Sequence, residues 1–196
     1  MDKNQINSIV ENRSFPGKRE NSELVETHIS WIILAEDFAY KIKRPVKFSF
    51  LDFSSLEKRK HFCEEELELN RRMEPEMYLD VLPVTSDLQI TEGRQSAEII
   101  DYALKMTRMD NSQAMDKLLA ENKVTSAHID KLAKKIARFH KNARVIKNAF
   151  GTLEFHEEFA DIANQYDFIS EKLGDEFKQK VSMCIDNSFT YLNKIR

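Results

Sequence analysis

The sequence predicts an α+β fold, in which a mainly antiparallel sheet crossed by one helix precedes an all-helical region. Residues 23–46 and 78–106 carry apolar side chains at alternate positions, which is the spacing of half-buried strands. A helix-start pattern lies between these two stretches, and beyond Thr107 the apolar residues recur every three or four positions. We therefore expect strands, one helix, more strands and then only helices.

Residues 1–22 are expected to form an N-terminal helix and a linker. The segment is polar apart from an amphipathic patch at Ile6, Ile9 and Val10, and it contains a Pro16-Gly17 break. The next stretch, residues 23–46, fits two or three strands, because apolar residues alternate with polar ones on either side of a Glu36-Asp37 turn signal.

The crossing helix is predicted from residues 54–57 (SSLE), which have the pattern of a capping box. It should run to about Met73, because Pro75 disfavours helical backbone in the residue before it. The second β region is expected to contain strands at residues 78–85 and 97–106 and a weaker one at 88–91.

The remaining chain should be helical. The expected helices are marked by Met115, Leu118 and Leu119; by Ile129, Leu132, Ile136 and Phe139; by Phe155, Phe159, Ile162 and Tyr166; and by Phe177, Val181, Cys184 and Tyr191. The last pattern runs to Arg196 without a glycine cap or a polar tail, so we expect the chain to stop within a longer helical pattern.

Composition excludes several function classes. The 30 basic and 33 acidic residues give a net charge of −3, so the basic excess of a nucleic-acid-binding protein is missing. No apolar run approaches the roughly 20 residues of a membrane helix, and the first residues do not resemble a signal peptide. Two cysteines, Cys63 and Cys184, are too few for a disulfide framework. We expect a reduced, cytoplasmic protein without a membrane or nucleic-acid partner.

A lysine in the third predicted strand suggests a function. Residues 38–41 (FAYK) match the apolar-Ala-apolar-Lys pattern of the third strand in protein kinases, and an acid-bearing helix follows. A lysine held between nucleotide phosphates and a helix glutamate is fixed in position and stays charged. Lys41 is the candidate lysine and Glu66 its partner, with Glu64 as the fallback. The alternative is that Lys41 and Lys43 are solvated lysines of an edge strand and the glutamates face solvent.

Longer motifs extend the match to a bacterial family. They are residues 25–31 (VETHISW), 39–46 (AYKIKRPV), 50–54 (FLDFS), 62–67 (FCEEEL), 69–72 (LNRR) with Tyr78 and Leu79, and 102–106 (YALKM). With these motifs the sequence resembles the aminoglycoside phosphotransferase-like kinases, which are often fused to a P-loop ATPase domain. The resemblance is strong over residues 22–145 and weak beyond them.

The resemblance implies a protein-kinase-like fold with ATP or GTP and Mg²⁺ between two lobes. Residues 23–107 would form the small lobe, an antiparallel sheet with one helix. Residues 108–196 would be a partial helical large lobe that lacks the catalytic loop.

The resemblance also implies which residues meet the nucleotide. The turn between the first two strands would stand where protein kinases have a glycine-rich loop, and it would bring Thr27, His28 and Ser30 to the phosphates. For His28, an exposed strand position is the alternative. The stretch from Leu104 to Arg108 would be the hinge, where Lys105 and Met106 offer backbone groups to the base.

The sequence departs from the family at the catalytic residues. A working member should continue into a His-Gly-Asp-type loop and a second Asp that holds Mg²⁺, and neither pattern occurs in these 196 residues. The triplet His128-Ile129-Asp130 lies at the start of a predicted helix, and Lys135 stands where the metal-binding Asn would fall. Asp52 precedes the crossing helix, which is the wrong place for a metal ligand. We assign no catalytic and no metal-binding residue.

Two functional hypotheses result. The first is a nucleotide-binding N-terminal portion of a small-molecule kinase, which in intact relatives transfers a phosphoryl group from ATP to a hydroxyl of an unknown acceptor. This chain by itself is expected to be inactive. The second is a non-catalytic kinase-like interaction module that pairs with a partner chain or with a second copy through exposed helices.

Overall fold

A computed structural model describes residues 1–17, 22–93, 96–145 and 162–194. Contacts divide the chain into a first unit, Met1–Ala143, and a second unit, Arg144–Arg196. The first unit contains the sheet. The boundary between a small and a large lobe, expected after residue 107, stays a prediction.

The described strands are antiparallel throughout. They are β1 (Glu23–Glu26), β2 (Ser30–Leu34), β3 (Phe38–Lys43), β4 (Lys47–Phe48), β5 (Leu51–Asp52), β6 (Tyr78–Thr85) and β7 (Ile99–Thr107). Within the described ranges, five of them form one sheet in the order β1-β2-β3-β7-β6, and β4 and β5 form a separate hairpin. The weaker strand expected at residues 88–91 is reduced to one bridge between Val84 and Ile90.

The register gives this sheet two different faces, because paired residues share a face and neighbours along a strand alternate. What we call the core face carries the buried residues Trp31, Ile33, Tyr40, Ile42 and Ala103. What we call the cleft face carries Ile32, Leu34, Ala39, Lys41 and Met106.

Helix α1 (Lys3–Glu11) packs on the core face. Ile6, Ile9 and Phe15 are buried in one hydrophobic cluster with the core-face residues. The Asp2 carboxylate accepts a hydrogen bond from the Gln5 backbone N–H at 2.9 Å, and the Gln5 side chain accepts one from the Asp2 N–H at 2.9 Å. This capping box starts the helix. The predicted N-terminal helix therefore forms, and its apolar patch belongs to the core of the first unit.

Helix α2 (Leu56–Arg71) packs against β6 and β7. It begins after Ser55, whose hydroxyl accepts a hydrogen bond from the Lys58 N–H at 3.3 Å. A capping box over residues 54–57 would make Ser54 the cap, so the observed cap, Ser55, lies one residue later.

The described part of the chain beyond Thr107 is helical, as predicted. The helices are α3 (Met115–Ala120) and α4 (Ser126–Asn142) in the first unit, and α5 (Tyr166–Leu173) and α6 (Asp175–Lys194) in the second. The helical pattern at Phe155 and Phe159 and the last two residues of the chain lie outside the described residues. The antiparallel sheet followed by helices confirms the α+β class. Within the described ranges, every helix is too short or too polar to cross a bilayer.

Candidate functional site

A cavity of about 890 Å³ lies on the cleft face. Side chains of β1, β2, β3 and β7 form its floor, and the segment after β7 also lines it. Its lining includes Val25, Ile32, Ala39, Met106, Met109 and Gln113. The small side chain of Ala39 leaves room above β3, and the apolar floor suits a planar, weakly polar group.

Lys41 projects from the same face at the edge of this cavity. Lys41 is the register partner of Ile32, and both Ile32 and Ala39 line the cavity. Residues two apart on a strand point the same way, so the side chains of Ala39 and Lys41 leave the sheet on one side. The Lys41 side chain therefore leaves the sheet beside the apolar floor of the cavity.

The Glu66 carboxylate binds two lysines. Lys41 Nζ donates to Glu66 Oε1 at 2.7 Å, and Lys43 Nζ donates to Glu66 Oε2 at 2.7 Å. Glu64, the fallback partner, instead lies 3.7 Å from Lys60 Nζ on the exposed side of α2. The geometry therefore favours Glu66, and the alternative of fully solvated lysines is wrong for this pair.

Opposing effects act on the ionisation of Glu66. Burial favours the neutral acid and by itself would raise the pKa of Glu66. The hydrogen bonds and positive charges of Lys41 and Lys43 outweigh burial, so the pKa lies below its usual value. The carboxylate is therefore ionised at neutral pH, which keeps both ammonium groups in place.

Contacts at both ends of α2 fix the position of Glu66. Near the first turn, Arg59 Nε donates to Asp101 Oδ1 of β7 at 2.9 Å, and both residues are buried. In the last turn, Arg71 Nε donates to the Tyr78 carbonyl of β6 at 2.8 Å. These contacts hold the helix against the sheet that carries Lys41.

The turn between β1 and β2 has a structural hydrogen-bond pattern. Thr27 Oγ1 donates to the Ser30 carbonyl at 3.0 Å and accepts from the Ser30 N–H at 2.9 Å. Ser30 is fully buried, whereas His28 is exposed at the tip of the turn. The segment is a turn, as expected. However, the Thr27 hydroxyl closes the turn and the Ser30 side chain is inaccessible, so of these three side chains His28 is the one open to a ligand.

Lys105 and Met106, expected at the hinge, have side chains on opposite faces of β7. Met106 lines the cavity. Lys105 pairs with Tyr40 in register, which puts its side chain on the core face, where Nζ lies 2.6 Å from Glu92 and 3.9 Å from the centroid of the Phe38 ring. The structure therefore brings Met106 together with Lys41 on the cleft face and does not bring the Lys105 side chain there.

The burial of Lys43 was not predicted from the sequence. In the alternative interpretation Lys43 is a solvated strand lysine like Lys41, yet it is 5% exposed and its Nζ lies 4.7 Å from the centroid of the Phe53 ring. The spacing of two on one strand predicts only that Lys41 and Lys43 share a face, not how deeply Lys43 is buried.

The described residues contain no group of three or more His, Cys, Asp or Glu side chains arranged to hold a metal ion. His128, part of the triplet that resembles a catalytic loop, lies in the first turn of α4, where its Nδ1 accepts a hydrogen bond from the Thr125 N–H at 3.3 Å. Asp52 lies on the β4–β5 hairpin and pairs with Lys58 at 2.6 Å. His128 therefore caps the start of α4, and Asp52 links the β4–β5 hairpin to α2 through Lys58.

Comparison with known proteins gives relatives without a stated activity. The chain is 30% identical over 119 residues to an uncharacterized protein of Mycobacterium tuberculosis (strain H37Rv) and, at the same identity, to one of Mycobacterium bovis. The match covers 61% of this chain and 22% of each relative, so the chain spans less than a quarter of their length. No protein-family model and no solved structure matches the chain.

Proposed function

We propose that the cleft face binds a nucleotide, ATP or GTP, with the base in the apolar cavity and the phosphates at Lys41. The observation that supports this most directly is the Lys41–Glu66 ion pair, because Lys41 is the register partner of Ile32, which lines the cavity of about 890 Å³. A lysine placed beside the cavity by a half-buried carboxylate is within reach of a ligand there, which is what a phosphate-binding lysine needs.

The cavity chemistry supports a planar base. Ile32, Ala39 and Met106 offer an apolar floor, and the segment from Met109 to Ala114 supplies backbone and side-chain polar groups along the same cavity. Apolar pockets with a few polar groups at their edge are the usual sites for small ligands. The base would contact the floor, and the phosphates would extend along β3 from Ala39 toward Lys41.

Mg²⁺ would enter with the phosphates rather than on a protein site, because the described residues do not form a suitable cluster of ligands. We therefore derive no transfer step for this chain. Phosphoryl transfer to a hydroxyl of a small-molecule acceptor, as the resemblance to aminoglycoside phosphotransferase-like kinases implies, is our proposal for a longer protein that contains this segment. A reduced, cytoplasmic setting suits this function, and both free thiols, Cys63 and Cys184, are compatible with it.

The test of nucleotide binding is thermal unfolding with and without Mg-ATP or Mg-GTP. A ligand at 100 times its Kd stabilises the folded state by about 2.7 kcal/mol, so the wild-type Tm should rise by several degrees. Lys41→Met should abolish most of the shift, because the phosphates lose their cation. Lys47→Met, at a 71% exposed lysine side chain on the β4–β5 hairpin, is the matched control and should retain the shift.

A Tm that neither nucleotide raises would rule out this function. A shift that survives in Lys41→Met would show that nucleotide binds elsewhere.

A second candidate function is an interaction module. The observation in its favour is the apolar stripe of α4, where Ile129, Leu132 and Ile136 are between 39% and 51% exposed. Exposed apolar stripes at helical spacing are typical of surfaces that meet another chain. Light scattering separates this function from nucleotide binding alone: a second copy on α4 predicts a dimer that Leu132→Lys converts to a monomer. A monomer at all concentrations would exclude self-association.

A further inference from the structure

The two lysines that bind Glu66 differ in their surroundings. The Lys41 side chain is 25% exposed and leaves the sheet beside the cavity, whereas the Lys43 side chain is 6% exposed. Each lysine holds its own carboxylate oxygen, Oε1 for Lys41 and Oε2 for Lys43. The two contacts use different oxygens of one carboxylate, so one can lengthen while the other stays.

Lys43 is confined to this contact. Its ammonium lies 4.7 Å from the centroid of the Phe53 ring, and Phe53 is itself 3% exposed. A buried ammonium under an aromatic ring is poorly placed to reach a ligand in solvent. Lys41 is thus the lysine that can turn toward a ligand, and Lys43 is the one that remains with Glu66.

We propose that Lys43 is a positioning residue, which keeps the Glu66 carboxylate paired when Lys41 turns to the phosphates of a bound nucleotide. This role rests on the proposed function. It differs from that function because it assigns no ligand contact to Lys43.

The physical reason is that Glu66 and a bound phosphate would compete for the ammonium group of Lys41. If Lys41 were the only partner of Glu66, a phosphate that drew Lys41 away would leave a largely buried carboxylate without a counter-charge, and such a charge is strongly unfavourable. With Lys43 on Oε2, Glu66 keeps a hydrogen-bonded cation throughout.

The test is a double-mutant cycle on nucleotide affinity in the full chain. The Kd for Mg-ATP is measured by titration calorimetry for the wild type, Lys43→Met, Glu66→Gln and the double variant. Lys43→Met should raise the Kd about tenfold or more, because Lys41 must then leave a carboxylate that has no other partner. In the Glu66→Gln background, where no carboxylate is left for Lys43 to keep paired, the same substitution should change the Kd by less than about threefold.

Three further variants control for the loss of any lysine, for the charge at position 43 and for misfolding. Lys47→Met is the matched control for loss of a lysine and should leave the Kd unchanged. Lys43→Arg keeps the charge and should retain most of the affinity. If Lys43→Met does not fold, as judged by circular dichroism, Lys43→Gln replaces it in the cycle.

The outcomes are distinct. An equal loss of affinity in both backgrounds would overturn the role of Lys43 through Glu66, since it would show an effect of charge or of structure alone. A Lys43→Met protein with wild-type affinity would overturn it as well, and the proposed function would survive if Lys41→Met still lost binding. A wild-type protein that binds no nucleotide would overturn both.

Discussion

Cys63 shows how strongly burial acts on single residues near the candidate site. It lies on α2 three residues before Glu66 and is completely buried. Burial disfavours the thiolate and raises the pKa of the Cys63 thiol to about 12, although the nearby charge of Lys43 acts in the opposite direction. This cysteine is therefore part of the packing beneath the ion pair and is a poor nucleophile.

We predict that the two thiols react at very different rates. At pH 8, a disulfide reagent such as Ellman's reagent should modify the exposed Cys184 quickly and Cys63 only when the first unit opens or unfolds. The measurement is the number of thiols that react within the first minutes, in buffer and in guanidinium chloride. Cys184→Ser should remove the fast phase. Two fast thiols in the native wild type would contradict the buried position of Cys63.

The Lys41–Glu66 pair was within reach of sequence analysis, and the part played by Lys43 was not. Helical spacing favours Glu66 over Glu64, because Glu66 follows the buried Cys63 by three positions on α2. The burial of Lys43 depends on Phe53, which follows the β4–β5 hairpin in the chain and contacts Lys43 through the tertiary fold. Such a long-range contact leaves no periodic signal in the sequence.

At the level of elements, α2 depends on a buried ion pair. Arg59 donates to Asp101 at 2.9 Å and to the Phe53 carbonyl at 3.1 Å, and the Tyr102 N–H also donates to Asp101 at 2.9 Å. These bonds satisfy both charges inside the protein. The N-terminal ammonium of Met1 lies 3.3 Å from Asp101 Oδ2 as a second cation. Loss of Asp101 therefore leaves Arg59 buried without a charged partner, whereas loss of Arg59 leaves Asp101 with the Met1 ammonium.

We predict that Asp101→Asn lowers the free energy of unfolding by about 3 kcal/mol, because it leaves Arg59 buried without a charged partner. Arg59→Met should cost less than Asp101→Asn, because Asp101 keeps its ion pair with the Met1 ammonium. The double variant should lose clearly less than the sum of the two. Urea unfolding followed by the fluorescence of Trp31, the sole tryptophan of the chain, measures all three. Additive losses would show that the two side chains act independently.

Strands were predicted well because alternation is local. The predicted strand at residues 78–85 matches β6 to the residue, and β3 (Phe38–Lys43) begins directly after the predicted Glu36-Asp37 turn. The turn at Thr27 was expected only from the resemblance and not from the alternation of apolar residues, because a Thr side-chain bond to the backbone competes with strand pairing without disturbing that pattern. That α1 covers the core face could not be foreseen either, since the sheet face a helix meets is a matter of tertiary packing.

At the scale of the whole first unit, stability should depend on pH through Glu66. The pKa of this carboxylate is lowered from its ordinary value of 4.5 in the folded state, so below that value the unfolded chain binds more protons than the folded one. Stability from the two ion pairs is therefore fully present above pH 4.5 and is lost as the pH falls through the lowered pKa. The lowered pKa of the exposed Asp52 acts in the same direction.

We predict that the free energy of unfolding of the wild type falls as the pH is lowered from 6 to 3, and that Glu66→Gln shows a smaller fall over the same range. The glutamine variant should be less stable at pH 6, where its ion pairs are missing, and closer to the wild type at pH 3. Urea titrations at several pH values provide the measurement. Parallel pH profiles for the two proteins would mean that Glu66 titrates alike in the folded and unfolded states.

The attachment of α2 at both ends has a consequence for any ligand that meets Lys41. Because Arg59 and Arg71 fix the helix on the sheet, the cost of ordering Glu66 and Lys43 is incurred when the chain folds and not when a ligand arrives. On the protein side, the reorientation of Lys41 is then the main change on association. The binding entropy should reflect mainly the release of water from the cavity and the immobilisation of the ligand and of the Lys41 side chain.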